Sequence, residues 1–254
     1  MTAPTFPDTL LLIPLYNHAA TVRGVVERAL RSGFAVLVVD DGSTDEGLQN
    51  LTGLSILTIR LAKNQGKGVA ILTGTKEAAR RGYSRILTLD ADGQHHPEEA
   101  HLLCREAEKH AAPVIVIGIR RMIQETVPRS SHFGRAFSNF WVKLECGREL
   151  RDTQSGMRLY PVKELLALKL CRLRYDFEIE ALVKAVWAGV EIAEVDISVH
   201  YPLPDERISH FHKFKDNWHL TALHTALVLR RLLPWPHKKL VAGQGPLPLQ
   251  DGHR

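Results

Sequence analysis

The stretch ILTLDADGQHHPEE, residues 86–99, decides how the chain reads. It opens as a short continuous apolar run, the pattern of a strand covered on both faces. Asp90 and Asp92 follow one residue apart, then Gly93 for a turn, Gln94, His95, His96, and Pro97 at the head of an amphipathic segment. A strand that persisted through the acidic pair would turn both carboxylates to one side of the sheet end. Such carboxylates repel each other unless a cation lies between them or their oxygens bind different partners. A hard divalent ion that keeps waters and binds diphosphate, Mg2+ or Mn2+, meets that requirement; Gln94 adds a neutral oxygen, and His95 or His96 would favour Mn2+. The same residues also read as a capped turn, with Asp92 and Gly93 reversing the chain and Asp90 capping a neighbouring helix.

Outward from this stretch the arrangement repeats. LLLIPLY (10–16), AVLVVDDG (35–42), LSILTIRL (54–61) and PVIVIGIR (113–120) are further buried-strand runs. Between them AATVRGVVERALRSG (19–33), GKGVAILTGTKEAARRG (66–82) and PEEAHLLCREAEKH (97–110) carry helical periodicity, with Gly33 placed for a left-handed cap. Continuous apolar strands alternating with helices predict an α/β fold: a mainly parallel sheet with helices on both faces, a three-layer sandwich. Chemistry then belongs at the carboxyl ends of the strands. After residue 121 the pattern changes to a helix over 130–147, a short extended piece TQSGMRLYP (153–161), an amphipathic helix over 175–189 and a strand over 190–201. The division expected is a catalytic domain 1–205, an amphipathic helical region 206–236 and a disordered tail 237–254, everything from Pro234 lying off the core.

Composition bounds the rest. With 254 residues and 44% apolar content the chain can bury a core without staples. Cys104, Cys146 and Cys171 are odd in number and lie at no metal-ligand spacing, so a reducing, cytoplasmic setting is expected. No charged leader opens the chain, and no run of about 18 uninterrupted apolar residues occurs. The net charge of +5 and pI near 9.2 admit anionic partners. Residues 214–235, FKDNWHLTALHTALVLRRLLPW, are apolar over several turns but interrupted by His219, His224, Arg230 and Arg231. Trp218 and Trp235 near its ends, with Lys213, Lys215, Lys238 and Lys239, suit a helix lying in a membrane interface; a helix docked on the domain or a dimer mate fits equally.

Two further clusters stand at strand ends. VVDDGSTD (38–45) places Asp40, Asp41 and Asp45 where carboxylates accept from a base edge or a ribose, or merely cap a helix. KNQGKGVA (63–70) sets Lys67 between glycines ahead of a helix, so that backbone N–H groups and a cation face a phosphate, or simply make a turn. Glu178 and Glu180 read as solvated or paired helix residues, Trp187 as core, and His210 and His212 as loop.

PLYN (14–17), VVDDGSTD, NQGKGVA and LDADGQHHP, in that order and spacing, resemble family 2 glycosyltransferases of the GT-A fold, above all the polyprenyl-phosphate sugar transferases typified by dolichyl-phosphate mannose synthase. The resemblance runs from about residue 9 to 200. It implies an inverting, metal-dependent transfer of a sugar from a GDP- or UDP-linked donor to a polyprenyl phosphate, another lipid or a hydroxyl acceptor, with no nucleic-acid partner. By it Pro14, Tyr16, Asn17, Asp41, Lys67 and Asp90 hold the nucleotide sugar, Asp41 at the base or ribose, while Asp90, Asp92 and Gln94 hold Mg2+ or Mn2+. RDTQSGMRLYP (151–161) resembles the family's D-x-x-S-G-F-R segment, with Met157 in place of the aromatic. Arg120 and Arg135 then bind the acceptor phosphate or the leaving diphosphate, since a guanidinium fork matches phosphate. Asp152 is the general base for a hydroxyl acceptor, or orients an arginine or the Ser155–Gly156 turn. Several relatives continue into spanning helices and this chain departs from them, so the protein is expected in the cytoplasm or peripherally on the inner membrane face, through a lipid surface or a membrane-bound partner. Two rivals remain: a catalytically silent nucleotide-sugar sensor, and a phosphorylation-switch receiver. The receiver needs a lysine where Arg120 and Arg121 stand and leaves half the length unexplained.

Overall fold

The computed structural model describes residues 5–121, 129–174, 176–200, 213–233 and 239–241. The elements run β1 (Thr9–Leu15), α1 (Val22–Arg31), β2 (Ala35–Asp40), β3 (Leu57–Arg60), α2 (Lys67–Arg80), β4 (Arg85–Thr88), α3 (Ala100–Ala107) and β5 (Val114–Arg120). They continue with α4 (Arg129–Cys146), β6 (Arg158–Pro161), α5 (Val162–Ala167), α6 (Phe177–Trp187), β7 (Glu191–Ile197) and α7 (Lys213–Leu232). The strands form one sheet in the order β3-β2-β1-β4-β6-β5-β7. All neighbours are parallel except β6, which runs antiparallel to both β4 and β5.

The period-two side-chain alternation of a strand builds two cores from one sheet. Leu10 and Leu12 of β1 face a layer containing Ile71 of α2, Leu165 of α5 and Phe177 of α6, while Leu11 and Ile13 face Val25 of α1 and Leu103 of α3. The three-layer arrangement expected from the continuous apolar runs is therefore present. Gly33 ends α1 at φ +80°, a backbone region costly to any side chain. The chain passes from the β3 edge back across the sheet to β4 beside β1, which puts a topological switch point between β1 and β4.

The short extended piece at 153–161 has a larger part than its length suggested. Its β6 is an inner strand with every residue buried, Leu159 facing one core and Tyr160 the other. Arg158 at its start is fully buried and donates to the carbonyls of Ser155 (Nε, 2.7 Å), Glu178 (Nη1, 2.8 Å) and Thr153 (Nη2, 2.7 Å). Peptide carbonyls thus solvate a cation inside the protein.

Of the alternatives for the C-terminal helix, docking is observed along its described part. Leu223 and Leu227 join the core, and His224 Nδ1 lies 2.6 Å from Glu145 Oε1 of α4. Leu240 and Val241 also pack on the core, with Leu240 N bonded to Ala188 O at 2.9 Å, which corrects the expectation that everything after Pro234 stands off it. The apolar pair behind Lys239 explains the difference, since burying it outweighs the ordering of so short a piece. His210, His212 and the rest of the expected tail lie outside the described residues.

Burial raises the Cys104 thiol to about 12 and the Cys146 thiol to about 11, whereas Cys171 is exposed. A thiol reagent at neutral pH is expected to modify one cysteine of the native protein, Cys171, and all three after unfolding. Modification of Cys104 or Cys146 at a comparable rate would contradict this packing.

Candidate active site

The loops after β1, β2 and β4 and the head of α2 converge at the switch point, and their own side chains tie them together. Asn17 occupies the left-handed region at φ 54°, which asparagine tolerates better than most residues. Its Oδ1 accepts from Thr44 N at 2.8 Å and its N–H donates to Ser43 Oγ at 3.0 Å. Asp45 accepts from Ala19 N at 2.8 Å and Gly47 N at 3.0 Å. Asp40, fully buried, accepts from Ser43 N at 2.9 Å and lies 3.4 Å from Arg60 Nε. Pro14 in β1 and Tyr16 just beyond it are partly buried.

Asp41 does work that its sequence position did not announce. Its two oxygens accept from Gln65 N at 2.8 Å and Gly66 N at 2.7 Å, fixing the loop ahead of α2. Burial raises its carboxyl above the ordinary range, those two N–H groups lower it, and neighbouring Asp40 raises it again. Gly68 N donates to Leu173 O at 2.9 Å. The N–H groups of Gly66 and Gly68 are thus engaged within the protein, a correction to the reading in which they face a phosphate. The glycines serve close approach instead: a Cβ on Gly66 would strike the Leu173 carbonyl, and one on Gly68 would stand 2.8 Å from Phe177 Cβ.

That approach carries Lys67 inward. Its Nζ lies 2.6 Å from Asp90 Oδ1 and 3.0 Å from Glu178 Oε1. Burial works against its charge, but Asp90 first and Glu178 second hold the ammonium protonated well above the usual lysine value. Asp90 is likewise disfavoured by burial and nevertheless held below the usual carboxylate value, chiefly by Lys67. Gly156 packs so tightly on Asp90 that a Cβ there would overlap its carboxylate.

The strand does not persist through the acidic pair: β4 ends at Thr88, and residues 91–93 form a turn whose Ala91 carbonyl accepts from Thr21 Oγ1 at 2.6 Å. The carboxylates are therefore not aligned by a shared pleat; the turn gathers them instead. Burial and the charge on Asp90 push Asp92 up to about 6, and Gln94 N donates to Asp92 Oδ1 at 3.0 Å. Gln94 sits in the same turn, its carbonyl accepting from His200 N at 2.8 Å. His95 is buried with no partner at Nδ1, and burial lowers it to about 4, leaving a neutral imidazole close to Asp90, Arg120, Lys67 and Asp152. His96 turns away to Arg28 Nη2 at 2.8 Å.

On the other side Arg120 makes a bidentate pair with Asp152, Nε to Oδ2 at 2.8 Å and Nη2 to Oδ1 at 2.9 Å, and its N–H reaches the same carboxylate at 3.2 Å. Gln154 N adds a fourth donor to Asp152 at 3.3 Å. Asp152 has no solvent exposure; burial opposes its charge, and Arg120 more than offsets that, holding it below the ordinary value. Arg135 Nη1 donates to Arg120 O at 3.2 Å, while Arg121 is exposed. The structure thus gathers Lys67, Asp90, Asp92, His95, Arg120 and Asp152, with Gln94 tied to Asp92 through its backbone N–H. Sequence reading took Glu178 as solvated or paired without finding that its partner is Lys67, and it missed Arg158, because nothing in the spacing of a helix or a strand start marks either as facing this cluster.

Metal chemistry can be judged on the donor set. Among the described residues no group of three or more His, Cys, Asp and Glu side chains gathers to hold an ion, and no lysine or arginine pairs with Asp92. Two hard carboxylates and a neutral oxygen, one carboxylate raised by burial and by its neighbour's charge, fit an Mg2+- or Mn2+-type ion that takes its remaining ligands from water and diphosphate.

The fold is GT-A. Glucosyl-3-phosphoglycerate synthase of Mycobacterium tuberculosis, solved with uridine diphosphate, superposes with a TM-score of 0.66 at 19% identity, covering 88% of this chain and 79% of that one. A further structure of that enzyme contains Mn2+, uridine diphosphate and glucosyl-3-phosphoglycerate. The family model described as Glycosyl transferase family 2 matches residues 11–165, and the chain belongs to that family. It is similar to polyprenol monophosphomannose synthase of Mycolicibacterium smegmatis, 30% identical over 205 residues, covering 75% of this chain and 76% of that one. It is also similar to UDP-N-acetylglucosamine–dolichyl-phosphate N-acetylglucosaminyltransferase of Methanococcus voltae, 28% identical over 213 residues, with 75% and 85% covered. A glycosyltransferase leaves no place for the receiver reading.

The Arg120–Asp152 clasp yields a stability test. Because the folded carboxyl of Asp152 titrates below its unfolded value, its contribution is complete above the ordinary carboxylate range and is lost as pH falls through the lowered value. Asp152→Asn leaves Arg120 without its counter-charge and is expected to cost about 3 kcal/mol in urea unfolding at pH 7. The gap from the native protein should narrow below about pH 4. An unchanged gap across that range would contradict the clasp.

Proposed function

We propose that this glycosyltransferase moves a sugar, with inversion, from a nucleoside diphosphate donor onto a lipid phosphate of the polyprenyl type. The observation that carries this is the state of Asp152. Four donors surround it and its carboxyl is held low, so it is poorly suited to take a proton from a hydroxyl. A phosphate acceptor arrives already ionised and needs no base. Asp152 is then a positioning residue that presents Arg120, with Arg135 behind it, to an anionic acceptor or to the departing diphosphate. The names of the two relatives, both transferases to polyprenyl or dolichyl phosphate, support the same acceptor class.

Pro14, Tyr16, Asn17 and Asp41 border the nucleotide end, a GDP- or UDP-linked sugar, Asp41 by fixing the loop at Gln65 and Gly66 beside it. Asp90, Asp92 and Gln94 would hold Mg2+ or Mn2+, which when bound supplies positive charge against the diphosphate oxygens. Lys67 keeps Asp90 ionised and aimed, Arg120 offsets charge on the leaving or attacking phosphate, and the neutral His95 adds no charge of its own. Residues 1–205 serve as the catalytic domain, 206–236 as an appended helical region and 237–254 as a tail. The protein would work peripherally at the cytoplasmic membrane face. Exposed Phe137 and Phe140 on α4 and Leu229 and Leu232 on α7 favour contact with a lipid surface or a membrane-bound partner, and among the described residues no helix is long and apolar enough to cross a membrane.

Two measurements test this reading. Asp92→Asn is expected to lower sugar transfer about a hundredfold or more with the fold unchanged, and excess chelator to abolish it; full turnover in either case would refute the metal. Arg120→Lys and Asp152→Asn should each reduce kcat/KM for the lipid phosphate, the double variant being no worse than the poorer single one. Additive losses would restore Asp152 as an independent base.

A further inference from the structure

We propose that Asn139 of α4 is a positioning residue for sugar transfer: it holds Arg135 and the Arg120–Asp152 clasp in register through the peptides on either side of Asp152. The inference deepens the reaction proposed above and rests on those arginines facing an anion there. α4 is attached to the domain near its end. Val142 and Cys146 lie in the core, Glu145 Oε1 meets His224 Nδ1 at 2.6 Å, Trp187 Nε1 donates to Glu145 O at 3.0 Å, and Arg231 Nη1 donates to Leu144 O at 2.9 Å. Arg135 stands about 10 Å back along the axis from Val142. A helix held near one end tilts most at the other, so an arginine there keeps its place only through a nearer attachment. Ser138 and Asn139 supply one: three and four residues after Arg135, they lie on its side of the helix.

Asn139 grips both sides of Asp152. Its Nδ2 donates to Arg151 O at 2.8 Å, and its Oδ1 accepts from Thr153 N at 3.0 Å. Thr153 Oγ1, buried, lies 2.8 Å from both Asn139 Oδ1 and Ser138 Oγ. A carboxamide carries the donor and the acceptor of a peptide group in one plane, so Asn139 pairs with the 151–153 segment much as a neighbouring strand would. Both bonds go to the peptides that flank residue 152, which leaves the Asp152 carboxylate to Arg120. Aspartate in this place would offer the Arg151 carbonyl no donor, and leucine would offer neither group.

The remaining holds on this segment come from the sheet. Glu194 Oε1 of β7 accepts from Arg151 N at 2.7 Å, and Arg158 Nη2 of β6 donates to Thr153 O at 2.7 Å. Asn139 and Ser138 therefore tie a helix to a segment that the sheet has already fixed. Arg135 arrives with that helix, its Nη1 donating to Arg120 O at 3.2 Å. The two arginines that face the anion thus belong to different elements, and the carboxamide of Asn139 sets one against the other.

Asn139→Asp keeps an acceptor for Thr153 and sets a second acceptor against the Arg151 carbonyl. In steady-state kinetics of the full chain it is expected to raise KM for the acceptor substrate about tenfold while KM for the nucleotide sugar stays unchanged. Arg135→Ala combined with Asn139→Asp should be no worse than Arg135→Ala alone, because Asn139 acts by placing that arginine. Asn139→Ser, small and uncharged, should fold even where the aspartate variant does not and show the same split. In it the Thr153 amide should exchange with solvent about tenfold faster, having lost its acceptor. A fall in kcat with both KM values unchanged would reduce Asn139 to a part of the fold, additive losses would place it against the substrate itself, and unchanged exchange at Thr153 would remove the grip. Each of these overturns the inference. Kinetics are read on the acceptor that the native protein glycosylates, so an acceptor other than a lipid phosphate would sink the reaction proposed above and leave this test in force.

Discussion

A lysine ammonium drawn between two carboxylates of different origin organises the candidate active site of this protein. Lys67 belongs to the first turn of α2, Asp90 to the exit of β4 and Glu178 to the first turn of α6. Taking either charge from water is unfavourable by several kcal/mol, and only close pairing offsets it. The three elements must therefore meet, and the glycines at 66 and 68 make the meeting possible. Without side chains there, α2 lies against Leu173 and Phe177 and brings its lysine to the sheet.

The charges beyond that triad are arranged in opposition. Asp90 and Asp92 crowd each other on one side, and among the described residues a lysine pairs with Asp90 and none with Asp92. Arg120 stands on the other side, held flat by the bidentate grip of Asp152, with neutral His95 between. An acidic edge thus stands beside a basic one, the arrangement that the proposed transfer of a sugar from a metal-bound diphosphate to a phosphate acceptor would use. Arg158 keeps this frame in register from below, fastening Thr153, Ser155 and Glu178 to one buried guanidinium.

At the opposite end of α4 another buried pair has a purely architectural part. Glu145 and His224 meet at 2.6 Å while Trp141 stacks on the imidazole at 5.6 Å, so α7 is fastened by a polar contact wrapped in aromatic surface. Burial raises the Glu145 carboxyl and His224 lowers it in return. The fastening fixes α7 on the domain.

The continuous apolar runs sufficed for the parallel sheet and its two helical layers, because a strand buried on both faces has no polar face to display. The order of acidic clusters at strand ends sufficed for the family, since carboxyl ends gather on one edge of such a sheet whatever the details of packing. Partner choice was another matter. That β6 inserts antiparallel between β4 and β5, that Asp41 grips backbone instead of standing open, that Glu178 reaches Lys67, and that Leu240 and Val241 return to the core are all contacts between residues distant along the chain. Periodicity records which face of an element is apolar and not what lies opposite it; only the folded chain, by bringing particular charges and methyl groups within a few ångströms, decided those.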